Sequence, residues 1–147
     1  GFPKRVKEKK QSVKKQKPTL EIQAEVLEQI EDDPFFELSE SIKVYLEKEK
    51  PFLNAAFSIS DIALAMKVPQ NHVAYCINSI MLTKFDTLKS DLRIDYAVKL
   101  LSGNLNDSFT IEGIAQQSGF KTRASFYGAF KEKTGMTPTE FIAAATK

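Results

Sequence analysis

Gln70, Asn71 and Asn78 in one stretch of the chain, and Lys121, Arg123, Lys131 and Lys133 in another, carry the groups suited to meeting a nucleic acid. An amide side chain can pair with adenine through its major-groove donor and acceptor, and an arginine can span the two acceptors of guanine. Glu132 is the only acid among the four bases of the second stretch. A different chemistry is open to His72 and Cys76, which are four residues apart and so on one helix face, as two metal ligands or as a thiol–imidazole pair. Two ligands are too few for a metal site. Each also precedes an inward-facing apolar residue, Val73 and Ile77, so both are read as bordering a core. The chain has no GxSxG elbow, no phosphate loop of the GKS/T kind and no HExxH. No enzyme, metal or cofactor is expected.

The elements that must position these side chains are visible as a repeat. Phe57-Ser58-Ile59-Ser60-Asp61-Ile62-Ala63 returns 52 residues later as Phe109-Thr110-Ile111-Glu112-Gly113-Ile114-Ala115. Repetition at such a period means two copies of one supersecondary unit. A hydroxyl residue, Ser58 or Thr110, stands where a helix N-cap is needed, and Ser58 with Asp61 approximates a capping box. Ile62, Ala63 and Val68 match Ile114, Ala115 and Phe120 as an apolar stripe at helical spacing. Lys67 and Gly119 then occupy the turn, where positive φ is required; glycine reaches it freely and Lys67 should cost about 1 kcal/mol. A second helix restarts at Pro69-Gln70 in one copy and behind a Thr122 cap in the other.

Helix geometry sorts the faces. Val73 with Ile77, and Phe126 with Phe130, point inward. Asn71, Ala74, Tyr75 and Asn78, with Gln70 at the leading end, are then expected outward or at the flanks of the first such helix. In the second, Arg123, Ala124, Tyr127 and Gly128 are outward with Ser125 at the flank. A short helix, a tight turn and a second helix with an exposed face make the motif whose second helix enters the DNA major groove. Gln70, Asn71, Ala74, Tyr75, Asn78, Arg123, Ser125 and Tyr127 are the candidate base contacts, and Lys121, Thr122 and Lys131 the candidate phosphate contacts.

The stretch Ile114-Ala115, Ser118-Gly119-Phe120, Ser125-Phe126, Phe130-Lys131, Gly135-Met136-Thr137-Pro138 and Phe141 closely resembles the signature of the AraC/XylS family of bacterial transcription regulators. The resemblance covers residues 52 to 143 or so, and Phe85, Arg93, Ala97 and Leu100-Leu101 look like that family's linker helix. It implies that positions matching Gln70, Asn71, Ala74 and Tyr75, and Arg123, Ser125 and Tyr127, meet bases. Three positions depart from the pattern: Pro69 replaces a hydroxyl cap, Leu82 a glycine, and Gly128 a long polar residue.

Charge divides the chain. The +2 total over 147 residues combines an arm of +7 at residues 1–17, a segment of −7 at residues 18–50 and a remainder of +2 at residues 51–147. Only the arm and the repeat region can attract phosphates by net charge. The arm resembles the segment that follows the membrane span in family members with a periplasmic sensor, and positive charge on the cytoplasmic side suits that placement. A DNA-clinging tail is equally physical. Within 18–50, Ile22, Val26 and Ile30 recur at four-residue steps on one expected helix, and Phe36, Leu38, Ile42, Tyr45 and Leu46 on another. These acidic helices are expected to brace the core, or else to form a dimer or signalling surface. One cysteine allows no internal disulfide. The first residue is Gly rather than Met, so an excised fragment lacking its natural N-terminal part is expected.

The expectation is therefore an all-α chain: a basic arm or juxtamembrane linker (1–17), acidic connecting helices (18–50), and two helix-turn-helix units joined by a linker helix (51–147). That linker helix, over about Asp86 to Leu101, would set the recognition helices about 34 Å apart, one in each of two successive major-groove turns of promoter or operator DNA. The resemblance further implies a cytoplasmic output domain, free or membrane-anchored, with RNA polymerase as a partner of an activator, a missing N-terminal sensor and a homodimeric full-length protein. The rival class is a protein-interaction or oligomerisation module that has lost DNA contact.

Overall fold

The computed structural model describes residues 19–103 and 110–145, whose regular elements are all helical, with no strand among them. The helices are α1 (Leu20–Glu31), α2 (Phe36–Glu49), α3 (Ile59–Met66), α4 (Gln70–Tyr75), α5 (Phe85–Gly103), α6 (Ile111–Gln117), α7 (Arg123–Thr134) and α8 (Pro138–Ala145). The basic arm and Phe109 of the repeat lie outside the described residues. The chain divides into two compact units, one running to Val44 and resuming over Ile59–Thr83, the other made of Tyr45–Ser58 and the chain from Lys84 onward.

In the first unit, Thr19 caps α1 by accepting from the Ile22 N–H at 3.3 Å. Nothing on α1 is buried, and Ile22 and Val26 stay 48% and 41% exposed. The bracing role expected of both acidic helices therefore fails for α1; α2 alone supplies core residues, Ile42 among them. α3 packs on α4 and buries Ile62 and Ala63, while Val73 and Ile77 are fully buried as their spacing requires. Lys67 turns the chain at φ 59°. The expected strain is present, so Lys67→Gly should raise stability by about 0.5–1 kcal/mol, the relief of left-handed strain exceeding the entropy that glycine adds to the unfolded chain. A urea midpoint no higher than the parent's would show that the Lys67 turn is unstrained.

The second helix of this unit's pair, α4, departs from regular periodicity. α4 ends at Tyr75 and passes into one wide π-type turn, Cys76–Ile80, closed by Met81 N–H to Cys76 O at 2.8 Å. Leu82 follows at φ 58°, in the left-handed region that glycine reaches without strain.

The second unit is built on α5, whose Arg93, Ile94, Ala97 and Leu101 face inward. Its core joins Ile94, Ala97 and Leu101 to Ile114, Ala115, Phe120, Phe126 and Phe130. Phe126 lies 5.3 Å from Phe120 in a tilted pair and 5.6 Å from Phe130, and Phe130 meets Phe141 edge-on at 5.5 Å, centre to centre, so packed rings carry α7 onto its neighbours. Thr110 caps α6 through the Gly113 N–H, Thr122 caps α7 through the Ser125 N–H, and Thr137 with Glu140 forms a reciprocal capping box on α8.

Arg93 ties this unit to its entrance. Its Nε donates to Phe52 O at 2.6 Å and its Nη2 to Asn54 O at 2.9 Å, and it lies over the Phe120 ring. Burial lowers its pKa from the usual arginine value.

Candidate nucleic-acid interface

Each unit presents a short helix followed by a tight turn and a second helix, and the polar candidates sit at the start of that second helix. In α4, Gln70 and Asn71 are exposed in the first turn, Ala74 is half-buried, and Asn78 is exposed in the π-type turn. Pro69 precedes α4 in extended geometry and contributes no side-chain cap. All four positions keep the orientation expected of them.

Tyr75 does not. Its ring is 8% exposed, its hydroxyl donates to Asp33, and it meets Phe35 edge-on at 5.5 Å. The turn between α1 and α2 covers this flank of the helix, so Tyr75 faces protein where helical spacing put it outward. Phe35 also stacks on His72 at 4.6 Å, and its carbonyl takes a weak hydrogen bond from the Cys76 thiol. His72 and Cys76 are thus packing residues. Burial first, and the charge of Asp33 second, push the Cys76 thiol up to about 11, which keeps it protonated and unreactive at neutral pH. No group of metal-ligating residues occurs among the described residues.

In the second unit, α7 opens behind the Thr122 cap with Arg123, Ala124 and Ser125 exposed, and Lys121 and Lys131 exposed at its two ends. Thr122 and Ser125 are engaged with one another: Thr122 Oγ1 lies 2.8 Å from Ser125 Oγ and accepts from the Ser125 N–H, and Ser125 Oγ donates to Thr122 O. Those hydroxyls build the helix start. Lys133 pairs with Asp91 on α5 at 3.6 Å. Gly128 is exposed, and a Cβ there would meet nothing within 4 Å.

Arg123 is the most organised of the candidates. Its Nη1 donates to Glu112 Oε1 at 2.6 Å, its Nη2 to the Tyr127 hydroxyl at 3.0 Å, and its guanidinium lies 5.0 Å from the Tyr127 ring centre. Tyr127, half-buried, has its hydroxyl 3.4 Å from Thr139 Oγ1 on α8. The Tyr127 contact first, and then Glu112, raise the Arg123 pKa, while Thr139 and Arg123 together lower that of Tyr127. Glu112 was not a candidate on sequence, because it lies on α6, across a turn from Arg123 on α7, so no spacing within one helix links the two.

Two helix-turn-helix units with polar second-helix faces define a class, and the class has relatives. A family model described as a helix-turn-helix domain matches residues 62–144, and the chain belongs to that family, in its AraC-type form. Its fold is shared with the C-terminal domain of AraT, a response regulator from Geobacillus stearothermophilus, at 21% identity and TM-score 0.63 over 76% of this chain and 86% of that one. A DNA-binding transcriptional dual regulator from Escherichia coli K-12 is similar at 18% identity and TM-score 0.62, over 72% and 95%. The DNA-binding domain of AdpA, a global transcriptional factor solved with a target DNA, is similar at 15% identity and TM-score 0.61, over 72% and 90%. No curated protein matches the chain. Family and fold are those of DNA-binding transcription regulators.

Proposed function

We propose that this chain is the sequence-specific double-stranded DNA-binding output domain of a transcription regulator, one recognition helix from each unit entering successive major-groove turns of an operator. The observation that carries this reading is Arg123, an exposed guanidinium held at the first turn of α7 between the exposed bases Lys121 and Lys131. Gln70, Asn71 and Asn78, with Ala74 as an apolar neighbour, read the other half-site; Lys121 and Lys131 hold phosphate and set register.

Arg123→Ala should relax preference at one base pair, at a cost of about 1–3 kcal/mol in affinity for the preferred duplex, with the other positions unchanged. Titrating the two proteins against duplexes that differ at single base pairs checks this. An unaltered preference at every position removes Arg123 from the reading. Duplex binding should also strengthen as salt falls; a chain that ignores duplex DNA at low salt is a protein-interaction module.

The basic arm is assigned to a membrane surface. Ten acids over residues 18–50 separate it from the repeat region and would repel DNA alongside them. No described helix is long and apolar enough to cross a membrane. Deleting residues 1–17 should abolish attraction to anionic vesicles, where each base near the surface is worth about 1 kcal/mol, and leave the salt slope of duplex binding intact. A flattened slope on deletion would make the arm a DNA-clinging tail.

A further inference from the structure

We propose that Glu112 is a positioning residue for base recognition, fixing the angle at which Arg123 meets its base pair; the proposal rests on the DNA-reading role given to Arg123 above. Glu112 stands in the first turn of α6 and takes Arg123 Nη1 at 2.6 Å, while Tyr127 takes Nη2 at 3.0 Å and lies within 3.4 Å of Thr139. Three helices, α6, α7 and α8, therefore hold one guanidinium. A guanidinium has five N–H donors. Two are engaged, and the remaining three suffice for the pair of bonds that guanine accepts.

The side chains of Arg123 and Glu112 are 59% and 55% exposed, so their contact adds little to folding stability. Its consequence falls on orientation instead. A long side chain that is already held loses less rotamer freedom when it binds, and a fixed fork discriminates between bases more sharply than a mobile one. The carboxylate also sits on a face meant for a polyanion, where an uncompensated acid would repel phosphate. Here its charge is matched by Arg123, so the acid orients the base-reading group at little electrostatic penalty.

The test uses the full chain with Glu112→Ala, Glu112→Gln, Arg123→Ala and the Ala/Ala double variant, titrated against the preferred duplex and its single-base-pair variants. Glu112→Ala should cut discrimination about three- to fivefold at the base pair that Arg123→Ala affects and leave the other positions unchanged. Glu112→Gln, whose amide oxygen still accepts from Nη1, should retain more of it. The double variant should discriminate no worse than Arg123→Ala alone, because partners in one network are not additive. Melting temperatures should match the parent's throughout. Two outcomes overturn the proposal: tighter binding of Glu112→Ala to all duplexes with unchanged discrimination, which makes Glu112 only a repelling charge, or additive losses in the double variant. If Arg123→Ala itself changes no preference, the base-reading role of Arg123 falls together with the positioning claim; an effect of Arg123 with an indifferent Glu112 overturns the positioning claim alone.

Discussion

Gly119→Ala should destabilise the second unit by about 2–5 kcal/mol, a severe effect for one methyl group. Two penalties coincide at this position. The backbone stands at φ 95°, where a side chain is strained by roughly 1–2 kcal/mol. A Cβ would also fall 2.5 Å from Phe52 O and 2.8 Å from Arg93 Nε, between the acceptor and the donor of the 2.6 Å hydrogen bond that ties Arg93 to the chain entering this unit. Neither neighbour can retreat easily. Phe52 O belongs to the backbone of a short turn, and Arg93 is 6% exposed and loses its compensation if it moves. Urea unfolding of the variant measures the effect, and a loss below about 1 kcal/mol would show that the turn relaxes around the methyl group.

Phe130→Ala should cost about 3–5 kcal/mol, the usual range for a buried aromatic truncation. Phe130 is fully buried, and its ring meets Phe126 on its own helix and Phe141 on α8. Its removal leaves a cavity on the buried face of α7, beside Phe126 and Phe141, so the helix that presents Arg123 loses its seat. Since a domain of this size is stable by only about 5–15 kcal/mol, the variant should melt far below the parent. An unchanged melting curve would mean that Phe130 does not anchor α7.

Features that follow from local chemistry were legible before any coordinates. The paired stripes Val73/Ile77 and Phe126/Phe130 are fully buried, the turn residues Lys67 and Gly119 both take positive φ, and Thr110 and Thr122 cap the helices they precede. Each of these depends on residues within a few positions of one another. What escaped depends on tertiary neighbours. Tyr75 has the period of an outward residue and is buried because Asp33 and Phe35, some forty residues upstream, lie against it. The apolar stripe of α1 looked like a brace, yet amphipathic spacing says only that a face is apolar and not that a neighbour covers it.

Within the site, the bases of α7 were visible from charge and helix position alone. The roles of their partners were not. In the sequence Arg93 is only a position of the linker-helix pattern until Phe52 and Asn54 are seen to offer it carbonyls, and Glu112 only a member of the repeat until Arg123 is found on it. The π-type turn after Tyr75 escaped for another reason: a regular 3.6-residue period was assumed across a segment whose hydrogen bond spans five residues, from Met81 to Cys76.

Selecting bound duplexes from a random pool with the full chain tests the central claim most directly. The account predicts enrichment of one two-part consensus, its halves about one helical turn or ten base pairs apart, with a preferred guanine in one half that depends on Arg123. Recovery of a pool as random as the one supplied, at salt low enough for Lys121 and Lys131 to hold phosphate, would contradict it.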